Sequence, residues 1–297
     1  MGLSKRTKKT ARPVTGICEP WAVSQALDLH GPLYGGPAMT GVLLDGLHLS
    51  RDDDVIEFWP GRGGTARKVL PLLPRSYRGI TPDQGSADRL NRSLRTHPNL
   101  RVLLTRAQTE GAYTGFQPGR AESTGLPDDS ASVILGENLL TPLGPFRVRA
   151  VVREAVRLLP PGGRFGVHEL CLVPNPSWNE SLDAARADEI RADLDERAGE
   201  GLFPRTESQW RAAIEEAGLV VTATRSGPVE PPTLRQLARG LGLRGFMGSL
   251  GRMARNAGAA RHLRGLSYCL ARHRADLGAI VVIAERPLIG DLLLPDR

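Results

Sequence analysis

Cysteine, aromatic residues and long apolar runs are all scarce in this 297-residue chain, and each shortage removes a class of protein. The three cysteines, Cys18, Cys171 and Cys269, lie far apart and match no metal-ligand spacing. They exclude a disulfide-stapled fold and fit buried bystanders in a reducing, cytoplasmic setting. No stretch approaches the ~18 consecutive apolar residues that a membrane helix needs. The longest candidate, Leu277–Ala284, has the length of a strand. The first twelve residues are basic and polar and lack the apolar centre of a signal peptide. The six histidines (His30, His48, His97, His168, His262 and His273) show none of the spacings zinc sites use, so no metal site is expected.

What is present is the composition of an ordinary globular protein, 40% hydrophobic and 24% charged, long enough to bury a large core. The net charge of +7 is unevenly spread. Residues 1–13 carry five basic side chains and no acid, as expected of a disordered basic tail. Residues 233–276 carry nine arginines against the single acid Asp276. Removing those contributions of five and eight from +7 leaves −6, so the rest of the chain is mildly acidic. That distribution argues against a general nucleic-acid binder, whose whole surface would be basic.

Apolar periodicity divides the remainder into alternating strands and helices. Residues 19–49 read as one or two helices interrupted by the glycine-rich segment 31–41. Strands are expected at 55–59, 77–81, 100–105, 131–136 and 164–170, with helices at 65–73, 84–96 and 146–159 between them. A polar loop is expected across 106–119. Pro160-Pro161-Gly162-Gly163 stops the last of those helices. Further on, 178–199 is acidic and helical, and 206–217 is a helix with Thr206 as its N-cap and Gly218 as its stop. The last two strands fall at 219–225 and 278–285, with the arginine-rich insertion between them. Repeated strand–helix–strand order specifies an α/β fold, a Rossmann-like doubly wound sheet, mostly parallel and decorated by a helical cap and insertions. Residues 14–297 then form a single domain.

The segment Asp54-Val55-Ile56-Glu57-Phe58-Trp59-Pro60-Gly61-Arg62-Gly63-Gly64-Thr65-Ala66 is a strand, a glycine turn and a helix start, the order of a nucleotide-type cofactor site. Gly61 and Gly63 let a ligand approach the backbone, and the helix start offers free N–H groups. Two readings compete. Gly61, Gly63 and Ala66 satisfy a dinucleotide fingerprint, with Asp83 twenty residues beyond Gly63. An acid inside the strand at Glu57 instead favours a ligand bearing positive charge or hydroxyl donors.

Two later landmarks decide between them. Ala121-Glu122-Ser123-Thr124-Gly125-Leu126-Pro127-Asp128-Asp129-Ser130 precedes the fourth expected strand, and Leu158-Leu159-Pro160-Pro161-Gly162-Gly163-Arg164-Phe165 leads into the fifth. With the 54–66 segment, in this order, the chain resembles the class I S-adenosylmethionine-dependent methyltransferases, in particular the small-molecule type common in actinobacteria. The closing helix–strand unit and final strand extend the resemblance to nearly the whole chain. It implies a seven-stranded sheet and S-adenosyl-L-methionine as cofactor. The implied cofactor residues are Glu57, Phe58, Trp59, Gly61, Gly63, Thr81, Asp83, Ala121, Glu122, Gly136 and Asn138. Glu57 would anchor the cofactor's amino acid end and balance positive charge.

Three positions depart from the family pattern. Trp59 stands where the family has its first glycine or another small residue, and it either packs over the cofactor or covers the turn. Thr81 takes the place of the ribose-binding acid, and Asp83, two residues on, is either its replacement or a helix N-cap. Arg120 takes the place of the adenine-reading acid, with Glu122 as a substitute. These departures motivate an alternative, a catalytically silent methyltransferase-fold protein that serves as a binding or scaffold partner.

Catalytic candidates follow the fourth and fifth strands. His168 has the pKa range of a general base, and Glu137 is placed to orient an acceptor or the cofactor. Glu169, pointing opposite to His168, is expected to be a buried or capping partner. The acceptor is expected to be a small molecule or a lipid-like compound, covered by the N-terminal helices, the acidic cap at 175–204 and the insertion at 233–276. That insertion reads as a lid or homodimer element, as a peripheral membrane contact, or as an RNA footprint belonging to an RNA methyltransferase. With aromatics at only 5% of the chain, stacking on single strands has little support, and nucleic acid is not the expected partner.

Overall fold

The computed structural model describes residues 36–96, 113–173, 180–199, 202–229 and 257–288. The expected basic tail, the first expected helix and residues 233–256 of the insertion lie outside them, as does Cys18. In chain order the elements are α1 (Gly36–Leu47), β1 (Asp54–Phe58), α2 (Ala66–Val69), β2 (Ser76–Thr81), α3 (Gln84–Thr96), β3 (Thr114–Pro118), β4 (Val133–Glu137) and α4 (Pro145–Leu158). There follow β5 (Arg164–Leu172), α5 (Glu180–Leu194), the two-residue β6 (Arg205–Thr206), α6 (Glu207–Glu215), β7 (Val220–Pro228), α7 (Ala257–Arg272) and β8 (Leu277–Glu285).

The strands form one sheet in the order β3-β2-β1-β4-β5-β8-β7, with β6 on the side of β5. The pairs among β1 to β5 are parallel, and β8 runs antiparallel to both β5 and β7. This is the expected mostly parallel α/β sheet, with the short β6 added to a seven-strand path.

Side chains alternate between two cores, as a sheet covered on both faces requires. Val55, Tyr77, Val133, Leu135 and Leu170 pack against α1, α3, α5 and α7. Ile56, Phe58, Ile134, Phe165 and Val167 pack against α4 and α6 on the other face.

Several element readings change. The third strand is Thr114–Pro118, inside what the sequence presents as a loop, while the expected strand at 100–105 lies outside the described residues. Thr-Gly-Phe-Gln-Pro has no apolar run, so tertiary contacts make this edge strand. Phe116 packs edge-on against Tyr77 at 5.7 Å between ring centres. It also lies so close to Gly79 that a Cβ there would sit 2.2 Å from its ring. The Asn91 side chain both donates to and accepts from the Phe116 backbone, each at 2.9 Å.

The helix expected at 65–73 is only Ala66–Val69 with a 3-10 turn over Leu70–Leu72, because Pro71 removes the next backbone donor. The helix α1 runs through Gly41 and Gly46 instead of breaking at the glycines. At Gly46 a Cβ would lie 2.9 Å from Ile283, so this glycine lets the helix sit close on the sheet. Thr206 caps α6 as expected, in a reciprocal box with Gln209.

The described part of the arginine-rich insertion is matched by the acidic cap. Buried Asp193 of α5 holds His273 Nε2 at 2.8 Å and Arg197 at 2.6 Å, with Arg272 of α7 at 3.5 Å. Arg186 pairs with Asp276 at 2.8 Å. Within this part His273 is buried against Asp193, whereas Arg272 is exposed and pairs with Asp193 and Glu189 from the surface. Among the described residues no helix is long and apolar enough to cross a membrane.

Candidate functional site

A sheet with this topology opens its ligand crevice at the carboxyl ends of the parallel strands, on either side of the point where strand order reverses. Here that point lies between β1 and β4. The β1 strand delivers Glu57, then turns sharply. Trp59, Gly61 and Gly63 all have left-handed backbones, with φ of 51°, 52° and 74°. Glycine adopts this region freely, whereas a bulky aromatic there is a strained exception, of order 1–3 kcal/mol. Trp59 is held by its own N–H, which donates to the Ile80 carbonyl at 3.0 Å. Its indole is buried in the apolar cluster on the α4 face, with the Arg147 guanidinium 5.9 Å from the ring centre. Arg147 in turn pairs with Glu122 at 2.6 Å. Trp59 therefore covers the turn from the α4 side and is tied through Arg147 to the segment that follows β3.

On the opposite face, the three titratable candidates meet in one buried network. Glu137 at the end of β4 accepts from Thr65 at 2.7 Å and from Thr40 of α1 at 3.0 Å, and its Oε2 lies 3.2 Å from His168 Nδ1 on β5. A carboxylate only accepts, so Nδ1 carries the proton, and in the neutral ring Nε2 is a base. Glu57 accepts from the Tyr77 hydroxyl of β2, and the Thr65 hydroxyl also lies against it.

The two carboxylates are unequal. Burial works against charge at both, but at Glu137 the hydrogen bonds and charge of His168, with Thr65 and Thr40, prevail and hold its pKa below the ordinary value. Glu57 has less support; burial, reinforced by the charge on Glu137, pushes it up to about 8. Burial and the neighbouring Glu57 also raise Tyr77 well above the usual phenol value. Two buried polar atoms next to this network, His168 Nε2 and Asn138 Oδ1, have no partner among the described residues. Asn138 itself is left-handed, with φ of 54°.

The neighbouring residue on β5, Glu169, faces the other way and is fully satisfied. It accepts from the backbone N–H groups of Leu139, Leu140 and Thr141 at 2.7–3.0 Å and from the Thr141 hydroxyl at 2.6 Å. It fixes the loop that carries Asn138, in the buried, capping place expected for it.

The other sequence candidates fall at the same end of the sheet but outside the network. Phe58 and Ala121 are buried in the α4-side core. A Cβ on Gly136 would sit 2.7 Å from the Leu139 side chain, so loop packing explains that glycine. The Thr81 hydroxyl lies 3.1 and 3.2 Å from the carbonyl oxygens of Asp83 and Gln117. Asp83 caps α3, accepting from the Ser86 backbone N–H at 2.8 Å and its hydroxyl at 2.5 Å. Arg120 is exposed, with its guanidinium 3.9 Å from Glu122. Sequence reading missed Thr40, Thr65, Tyr77 and Arg147. For Tyr77 a signal existed: a phenol on the strand beside a buried acid, two residues before Gly79, which pairs with Glu57.

The donor set suits a ligand that bears positive charge or hydroxyl donors. A dry pair of carboxylates has no arginine or lysine ion pair among the described residues, glycines open the turn, and two orphaned polar atoms lie alongside. Among the described residues no cluster of His, Cys, Asp and Glu is arranged to hold a metal ion.

No family model matches the chain. A curated protein, the 27-O-demethylrifamycin SV methyltransferase of Amycolatopsis mediterranei, is 25% identical over 263 residues, covering 87% of this chain and 82% of that protein. The solved structure of the [4+2]-cyclase SpnF superposes with a TM-score of 0.62 at 16% identity, over 90% of this chain and 92% of that one. The geranyl diphosphate C-methyltransferase of Streptomyces coelicolor A3(2), solved with geranyl diphosphate and S-adenosyl-L-homocysteine, gives 0.51 at 14% identity over 84% and 78%. These structural likenesses speak to the fold. Taken with the ordered motifs, the curated relative makes this chain similar to a methyltransferase, on a fold that it shares with S-adenosylmethionine-dependent enzymes.

Proposed function

We propose that this protein methylates a hydroxyl group of a small, largely non-polymeric acceptor, with His168 as general base and Glu137 as the group that orients it. The observation that carries this reading is the buried Glu137–His168 pair at the ends of adjacent strands, 3.2 Å apart, with Nε2 left without a partner among the described residues. When bound, the cofactor supplies an electrophilic methyl group on a sulfonium. Transfer to a hydroxyl requires the acceptor to lose its proton, which distinguishes oxygen from an already nucleophilic centre. Nε2 takes that proton, and Glu137 at Nδ1 stabilises the imidazolium that results. Glu57 and the turn at 59–63 hold the amino acid end of the cofactor. Burial of all three titratable groups excludes water, which sharpens their electrostatics.

The relatives support a small-molecule acceptor. The Amycolatopsis protein is named for 27-O-demethylrifamycin SV, and the Streptomyces one was solved with geranyl diphosphate. The comparisons give no support to the catalytically silent reading. The decisive test is calorimetric titration with S-adenosyl-L-homocysteine, followed by transfer of labelled methyl from S-adenosylmethionine to 27-O-demethylrifamycin SV as a hydroxyl probe. Binding, together with probe methylation that disappears in His168→Asn, is the expected result. Folded protein that binds no S-adenosyl-L-homocysteine at millimolar concentration would overturn the assignment of the site.

A further inference from the structure

Glu57 is buried inside a network that contains a second carboxylate and no lysine or arginine ion pair among the described residues. The groups facing it are Tyr77 from β2, Thr65 from the turn before α2, and Glu137 from β4. Beyond Glu137 lie His168 of β5 and Lys68 of α2. Thr65 has a single hydroxyl proton, and it goes to Glu137 at 2.7 Å. That one proton serves one carboxyl group at a time, so Thr65 does not fully support a charge on both acids. Glu137 takes three donors, from Thr40, Thr65 and His168, whereas Glu57 takes one clear donor, the Tyr77 hydroxyl. Two like charges in one dry site are not both sustained, and the better-supported group keeps its charge.

We infer that Glu57 is uncharged in the free protein and releases its proton to solvent when the ammonium group of the cofactor's amino acid end binds, so that binding and deprotonation are one coupled event. The balance is simple: the carboxyl O–H breaks, the proton leaves to water, and the carboxylate pairs with the incoming cation. The group thus avoids an uncompensated buried charge before the ligand arrives and supplies a full counter-charge afterwards. This rests on the assignment of Glu57 to the cofactor's amino acid end. The elevated pKa that burial gives Glu57 agrees with it.

The test is calorimetric titration of the full chain with S-adenosyl-L-homocysteine at pH 6.5 and pH 9, each in two buffers of different ionisation enthalpy. At pH 6.5 the ligand's own ammonium is almost fully protonated, so a buffer-dependent heat reports on the protein. Expected are release of close to one proton at pH 6.5, and an affinity that rises by up to about tenfold per pH unit until it levels off near pH 8. Glu57→Gln is expected to abolish both. Should that variant fail to fold, Tyr77→Phe serves instead: it keeps Glu57 but removes its donor, so the levelling-off moves to higher pH. Binding at pH 6.5 with a heat independent of buffer, or a Tyr77→Phe profile superimposable on the wild type, overturns the coupling while leaving the cofactor site intact. Absence of any binding by folded protein instead overturns the site assignment on which the coupling rests.

Discussion

Glu57 and Glu169 are both buried carboxyl groups near the carboxyl ends of parallel strands, and the protein around them treats the two in opposite ways. Glu169 is saturated by three backbone N–H groups and a hydroxyl, all from one loop. Glu57 has the Tyr77 hydroxyl and a shared threonine, and a second carboxylate nearby. A saturated buried acid is a structural bracket, since every lone pair is spent inside the fold. An under-satisfied acid beside orphaned atoms costs stability unless something else completes it, and at the mouth of an α/β sheet that something is a ligand. His168 sits between the two cases: it is as buried as its neighbour Glu169, but it faces the Glu57 side and keeps one nitrogen unspent.

Removing that unspent nitrogen is the change expected to have the largest effect. His168→Asn is expected to lower kcat by about 10²–10⁴-fold, the range for a lost general base, while S-adenosyl-L-homocysteine affinity stays within about twofold. Parallel loss of affinity and kcat would move His168 from the acceptor side to the cofactor side. Next comes the bracket. Glu169→Ala leaves three backbone donors unpaired in the core and is expected to reduce stability by about 3 kcal/mol or more in urea unfolding. If stability is unchanged, the contrast between a spent and an unspent acid collapses.

The opposite sign is expected at Glu57. Its pKa in the folded protein, about 8, lies above the ordinary 4.5, so the protonated form is the one the fold favours. That stabilisation is complete below about pH 4.5 and is lost progressively as pH rises toward 8. Glu57→Gln, a permanently neutral isostere, is therefore expected to stabilise the free protein at pH 8 by up to about 4 kcal/mol. The gain should vanish below pH 4.5 while cofactor affinity falls at least about tenfold. Urea unfolding at a series of pH values reads the first, calorimetry the second. A mutation that stabilises the fold while weakening the ligand marks a group kept for binding.

The sheet itself was legible because its central strands are continuous apolar runs alternating with amphipathic helices. The strand β3 was hidden, because Phe116 is its one large apolar side chain and its pairing depends on Asn91, Tyr77 and Gly79, which lie far away in sequence. In the site, Glu57, Glu137 and His168 were legible as acids and a base at strand ends, a position that the parallel sheet makes special. Thr40 and Thr65 were not, because an aliphatic hydroxyl carries no spacing signal and only its burial against a carboxylate gives it a role; Tyr77 had only its place on the strand beside Glu57. Trp59 was legible as a misfit at a glycine position, but its left-handed backbone and its clamp under Arg147 belong to three-dimensional packing.

Asp83 gives the smallest effect and the narrowest test of the same contrast. Its carboxylate is already engaged by the Ser86 backbone N–H and hydroxyl, and those bonds outweigh partial burial to hold its pKa below the ordinary value. It is also exposed at the rim, so unlike Glu169 it retains lone pairs that a ribose could use. If the cap is its whole role, Asp83→Ala is expected to cost about 1 kcal/mol of stability, the usual value of an N-cap, with affinity for S-adenosyl-L-homocysteine changed less than about twofold. Asp83→Asn preserves a capping oxygen and should restore most of that stability. If both variants instead weaken binding tenfold or more, Asp83 belongs with Glu57 among the acids that a ligand completes, and Thr81 marks a displaced ribose site rather than a lost one.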